Sequence, residues 1–256
     1  MADSPLRVWK ERDDKLLRLR LARPKANIVD AQMIAALDAA YAAAEGDAKL
    51  RAVLLDAEGS HFSFGASVEE HLPATVEAML RGLHALVLRM LACPVPTLVA
   101  IRGQCLGGGL EVAAAGHLLF AAPEAKLGQP EIVLGVFPPF ASCILPERLP
   151  RAAAEDLLLS GRSIDGKEAH RLGLVNAVAD DPEAAALAYF DAHLARHSAA
   201  SLRLGTAAAR YDMVERVRHK LGELERRYLG TLMKTHDALE GLAAFLEKRP
   251  PRWEDR

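Results

Sequence analysis

A chain of 256 residues is long enough to bury one large core, or a core with an appendage. Its composition, 51% hydrophobic and 26% charged, is that of an ordinary globular domain, and no apolar run reaches the length of a membrane helix. With 32 basic against 34 acidic residues the net charge is −2, so no global field draws it to nucleic acid or to an anionic membrane.

The N-terminus, opening Met1-Ala2-Asp3-Ser4-Pro5, carries no signal-peptide apolar region. Residues 8–11 and 16–21 alternate like two strands turned at Asp13-Asp14. Asp30 is placed to cap an amphipathic helix that runs through Tyr41 to Ala44 and is stopped by Gly46. Residues 52–56 read as a short buried strand, and His61-Phe62-Ser63-Phe64 as a strand-like segment ending in a Gly65-Ala66 turn. A helix is expected over 75–91, with Val76, Met79, Leu80, Leu83, Leu86, Val87 and Met90 inward, before Pro94 and Pro96 break the chain. Strands follow at 97–101 and 117–121, and residues 132–137 are expected along a pocket wall. Beyond Arg151 the chain reads as helices at 152–160, 165–172, 182–196, 198–211, 213–234 and 237–248, the last ended by Pro250-Pro251. In that region Arg203, Arg210, Arg216, Arg218 and Lys220 are interleaved with acids and read as a solvated face. The strand–strand–helix alternation implies an α/β core of stacked turns.

Cys93, Cys105 and Cys143 are odd in number and sit in apolar settings, which reads as reduced, buried thiols of a cytoplasmic protein. Nine histidines are scattered without ligand spacing, so no metal site is expected.

Chemistry concentrates at Gly107-Gly108-Gly109-Leu110-Glu111 and at Gly128-Gln129-Pro130-Glu131. A helix starting near Gly108 turns unpaired N–H groups outward, where they can hold developing negative charge, and carries Glu111 one turn in. Two carboxyl groups near such an oxyanion can divide acid and base duties. Taken alone, the glycine triplet is equally explained by close packing.

The chain resembles the crotonase, or enoyl-CoA hydratase/isomerase, superfamily over almost its whole length. The resemblance rests on Arg23-Pro24-Lys25-Ala26, Phe64-Gly65-Ala66-Ser67, residues 103–111, Gly128-Gln129-Pro130-Glu131-Ile132 and residues 244–249, in that order. It implies a crotonase-like spiral of repeated ββα turns over residues 1–195. A C-terminal helical region over 196–256 would serve oligomerisation, as a trimer or a dimer of trimers, and cap CoA. It also implies an acyl-CoA thioester substrate, with CoA carried as part of the substrate and no separate cofactor. By this likeness the N–H groups of Ala66 and Gly108 form an oxyanion hole. Glu111 and Glu131 match the glutamate pair of the hydratases, with the division of acid and base between them left open. Lys25, Phe64, Ala66, Ser67, Val68, Phe245 and Lys248 match CoA-contacting positions, and Leu106, Val136, Phe137 and Phe140 would wall the acyl pocket.

Ser67 stands where the family more often has an acid, and Gly135-Val136-Phe137-Pro138-Pro139-Phe140 replaces a small, glycine-rich segment. These departures imply a rigid, bulky acyl group, and residues 62–71 together with Gly103-Gln104-Cys105-Leu106 resemble most the branch acting on a cyclic dienoyl thioester in anaerobic aromatic degradation. A general short-chain 2-enoyl-CoA hydratase, a ring hydrolase or isomerase, and an inactive binding protein of the same fold remain as alternatives.

Overall fold

In the computed structural model, which describes residues 4–256, β1 (Leu6–Glu11) and β2 (Leu16–Leu21) pair antiparallel across the expected turn. Residues 1–3, the first part of the N-terminal stretch discussed above, lie outside the described residues. Asp30 caps α1 (Ala31–Gly46) as its position predicts, its carboxylate accepting from the Met33 N–H at 2.9 Å. In α2 (Val76–Ala92) all seven positions expected inward are buried.

Two sheets result. The larger has the order β1-β2-β3-β4-β6-β9, with β3 (Ala52–Ala57), β4 (Thr97–Ile101), β6 (Leu118–Ala121) and β9 (Ala177–Val178) all parallel to β2. Its central strands are buried on both faces, as parallel strands with covered faces must be. One face packs on the main core. On the other, Leu54, Leu98 and Phe120 meet Ala186 of α7 (Pro182–Tyr189) and Phe190.

The smaller sheet holds β5 (Gln104–Leu106), β7 (Lys126–Gly128) and β8 (Ser163–Asp165), in that order. Residues 61–64 do not form a full strand; Ser63 alone bridges to Cys105. Each turn of the chain thus supplies one strand to the large sheet and one short strand to the small one, β4 then β5, β6 then β7. This is the stacked ββα spiral. The helix α3 (Gly108–Ala115) follows β5 and is buried at every residue.

Two expectations about the C-terminal helices are corrected. Residues 198–211 and 213–234 are not two helices but one, α8 (Ala199–Gly230). Nothing at Asp212 stops it, because the inward stripe of Arg210, Val214, Val217, Leu221 and Tyr228 continues across that point against α2 and α4 (Pro139–Arg148). Nor are the basic residues of α8 simply solvated. Arg203 donates to the carbonyls of Ala44 and Glu45 at the end of α1, each at 3.0 Å. Arg210 is buried and donates to Ala115 O at 2.7 Å and to Gly116 O, where Arg148 also donates. Both close the last turn of a helix whose carbonyls would otherwise lack donors. Burial and the neighbouring Arg148 push Arg210 down to about 9.

The segment expected as one helix over 182–196 is α7 continued by a π-helical turn, Phe190–Leu194. The last helix, α9 (His236–Leu246), ends before its prolines: Lys248 already lies in the left-handed region at φ 55°. Between α4 and β9 lie α5 (Arg151–Ser160), β8 and α6 (Gly166–Leu172). The expected thiols are free and buried. Burial pushes Cys93 to about 11 and Cys143 to about 12, and raises Cys105 as well, so none is a ready nucleophile.

Candidate active site

Ser63 pairs with Cys105 and Cys105 with Leu127, so three segments run parallel at about 4.8 Å spacing. Three residues beyond these partners stand Ala66, Gly108 and Pro130, with Glu131 next. The three small-residue turns noted in the sequence are therefore equivalent points on successive turns of the spiral. They converge at the carboxyl ends of parallel strands, the usual place for ligands in such sheets.

Gly107, just before α3, has φ 50°, and an added Cβ there would meet Glu131 Oε1 at 2.6 Å. Only glycine permits that turn with a carboxyl group lying against it. At Gly108 an added Cβ would stand 3.0 Å from Ala66 N, so these two backbone positions are in contact. Gly108 opens α3, where a helix leaves its N–H groups unpaired. The N–H of Ala66 has no backbone partner among the described residues. Two unpaired donors, with the positive end of the α3 dipole behind one of them, suit an oxygen that acquires negative charge.

Glu111 lies one turn into α3 and is only 4% exposed. Its Oε1 accepts from the Ala141 N–H at 2.8 Å, and the Phe140 N–H also favours its charge. Burial nevertheless holds its carboxyl above the usual range, with His84 and those two N–H groups acting the other way. Glu131 sits in a 3-10 turn, Pro130–Leu134. Burial first, and then the Glu111 charge, push its carboxyl well above the usual range. With the fully buried Gln129 amide turned so that its nitrogen faces Glu131, that nitrogen is 3.0 Å from both carboxylate oxygens. Burial raises both carboxyls and the Glu111 charge raises Glu131 further, the condition under which such a pair carries one proton. The backbone donors at Glu111 favour the charge there, which leaves the proton on Glu131.

Both open on a cavity of about 590 Å³, within the range of small-molecule sites. Its wall is mostly apolar, with Leu80 and Leu83 of α2, Leu242 of α9 and Tyr228 of α8 among its members. Of the residues predicted for CoA and acyl contacts, Phe64, Ala66, Ser67, Val68, Leu106, Val136, Phe137 and Phe245 line it. Phe64 and Phe245 are 43% and 53% exposed, as suits a rim. Lys25 and Lys248 are exposed and outside the lining. Phe140 corrects an expectation: it is fully buried in the main core, because α4 begins at Pro139 and turns that ring inward. Its N–H, unpaired at the helix start, serves Glu111 instead. Ile132, expected on the wall, is not in the lining either; it packs near Gly161. His71 lines the cavity, its Nδ1 2.7 Å from Ser67 O.

Sequence reasoning did not assign the Gln129 clamp, the α4 backbone donors or Tyr228. Gln129 stands inside a quoted motif, yet nothing local in the sequence announces which group its amide meets. Among the described residues no group of three or more His, Cys, Asp or Glu could hold a metal ion.

Residues 11–256 match the family model described as enoyl-CoA hydratase/isomerase. The chain is 66% identical over 255 residues to cyclohexa-1,5-dienecarbonyl-CoA hydratase of Thauera aromatica, covering 100% of this chain and 99% of that one. A probable enoyl-CoA hydratase of Bacillus subtilis is 37% identical over 246 residues, with 92% and 93% covered. Among solved structures, an enoyl-CoA hydratase/isomerase from Pseudoalteromonas atlantica superposes with a TM-score of 0.87 at 27% identity, covering 97% of this chain and 99% of that one.

Proposed function

The chain belongs to the enoyl-CoA hydratase/isomerase family, and we propose that it is the hydro-lyase adding water to cyclohexa-1,5-diene-1-carbonyl-CoA to give 6-hydroxycyclohex-1-ene-1-carbonyl-CoA. One observation carries the reaction class: two buried carboxyls and two unpaired backbone donors meet in one apolar cavity. The full-length relative at 66% identity, whose name gives that substrate, supports the acyl group.

In this reading the thioester carbonyl accepts from the N–H groups of Ala66 and Gly108. Glu111, ionised, takes a proton from water as the oxygen bonds to the ring β-carbon. The π electrons move through the ring to the thioester oxygen, giving a dienolate that the two N–H groups stabilise. Glu131 then gives its proton to the far end of the diene, so that water adds 1,4 across the conjugated system. Phe64, Ser67, Val68 and Phe245 hold the pantetheine and adenine parts, and the exposed Lys25 and Lys248 meet the CoA phosphates. Copies assemble as trimers or pairs of trimers through residues 196–256, where exposed Leu204 and Tyr211 on α8 offer apolar surface. No helix among the described residues is long and apolar enough to cross a membrane, and the free thiols fit a cytoplasmic setting.

Incubation with cyclohexa-1,5-diene-1-carbonyl-CoA and, separately, with crotonyl-CoA tests this by mass spectrometry. Gain of one water on the cyclic thioester, faster than on crotonyl-CoA, is expected. Preference for crotonyl-CoA would make the protein a general short-chain enoyl-CoA hydratase instead.

The carboxyl shifts also set a pH profile. Hydration needs Glu111 ionised and Glu131 protonated, so kcat/KM falls as pH drops through the Glu111 value and as it rises through the Glu131 value. Both values are raised, so the bell lies above the usual carboxylate range. Initial rates measured from about pH 5 to 9 check this, and a flat profile contradicts the shared-proton assignment.

A further inference from the structure

Tyr228 is 1% exposed and lines the cavity from α8, with its ring edge-on to Phe137 at 5.4 Å between centroids. Packing explains the ring but not the oxygen. Buried tyrosine hydroxyls usually find a partner, and a buried polar atom without one is destabilising. The Tyr228 hydroxyl has no hydrogen-bond partner among the described residues. The charged groups acting on it are the two candidate catalytic carboxyls, Glu131 and then Glu111, yet it bonds to neither. Burial, with those two charges, holds the phenol above its usual range, so it keeps its proton and is available as a donor. A buried, unpartnered donor that lines the same cavity as both carboxyls and bonds to neither is free to contact an oxygen atom bound in that cavity.

We propose that Tyr228 is a further catalytic residue, whose hydroxyl donates a hydrogen bond to the oxygen of the water being added or removed. This rests on the hydration reading above. Glu111 accepts one proton of that water, Tyr228 donates to one lone pair of its oxygen, and the other lone pair forms the bond to the β-carbon. Tyr228 keeps its own proton throughout, so the balance of the reaction is unchanged. In the reverse direction the same donor assists departure of hydroxide. The contact fixes which face of the ring the oxygen meets, and it is a site feature that the glutamate motifs do not encode.

Tyr228→Phe retains the ring and removes only the oxygen. The expected result is a fall in kcat of about 30-fold on the cyclic dienoyl thioester with KM within about two-fold of wild type. Calorimetric affinity for cyclohexanecarbonyl-CoA, which has no double bond to hydrate, is expected to be unchanged. Wild-type kcat in Tyr228→Phe overturns the inference and leaves the hydration reading standing; a lower melting temperature at wild-type kcat does so too, by assigning the residue to packing. A wild-type protein that adds water to neither cyclic dienoyl-CoA nor crotonyl-CoA overturns the hydration reading, and the role of Tyr228 with it.

Discussion

Glu131→Gln is expected to lower the hydration rate by about 10³- to 10⁴-fold while leaving the protein more stable. The loss follows from its place: no other acid shares the turn that brings Glu131 against Gly107, and an amide N–H is far too weak an acid to protonate carbon. Glu111→Gln is expected to lose a similar factor. The double variant is expected to be hardly worse than either single one, because the two act as a unit. The gain in stability has the same origin. Both carboxyls have folded values above their unfolded ones, so the fold favours their protonated forms. That favourable contribution is fully present below the unfolded values and is lost as pH rises through the folded ones. A glutamine carries no such charge, so the melting temperature of Glu131→Gln should exceed that of wild type increasingly from acid to alkaline pH. Each kcal/mol moves the midpoint of a chain this size by about 2–4 °C, a shift calorimetry reads easily. Equal melting temperatures at alkaline pH would show that Glu131 is not held in a charge-averse place.

The second large effect concerns the backbone. Gly108→Pro deletes one N–H at the first helical position, where proline is tolerated. A rate loss of about 10²- to 10³-fold is expected, the usual consequence of removing one oxyanion donor. Steric change must be separated from loss of the donor, since an added Cβ stands 3.0 Å from Ala66 N. Gly108→Ala provides the control: it brings the same Cβ but keeps the N–H. Comparable losses in the two variants would mean that crowding, not the donor, is responsible. A much greater loss in Gly108→Pro, with affinity for cyclohexanecarbonyl-CoA retained, is the outcome expected of an oxyanion hole.

Much of this site is legible in the chain because it is built from turns. Glycines at 65, 107 and 108 next to short apolar strands announce where the backbone must approach something closely. The carboxylates at 111 and 131 stand within a few residues of those turns. Their convergence follows once the short strands are stacked, since the Ser63–Cys105–Leu127 register sets the turns side by side. What was not legible depends on side-chain direction across distant segments. Phe140 has the composition of a pocket residue, yet the start of α4 turns its ring into the core and its N–H toward Glu111. Arg210 stands in a run of alternating charges, and only the arrival of α3 beneath α8 makes it a buried helix cap. The sequence reads as two helices divided at Asp212, whereas the buried stripe on either side carries α8 straight through. Tyr228 belongs to that stripe, so its pattern reads as core, and its oxygen gains meaning only beside Glu111 and Glu131.

The most direct measurement is hydration of cyclohexa-1,5-diene-1-carbonyl-CoA in D₂O, with the product examined by proton and carbon NMR. One deuterium at the far end of the former diene, with hydroxyl on the ring β-carbon, is the result expected if Glu111 takes the water proton and Glu131 supplies the other. Deuterium at the α-carbon would mean simple 1,2-addition, and a thioester recovered without added water would remove hydration of this substrate altogether.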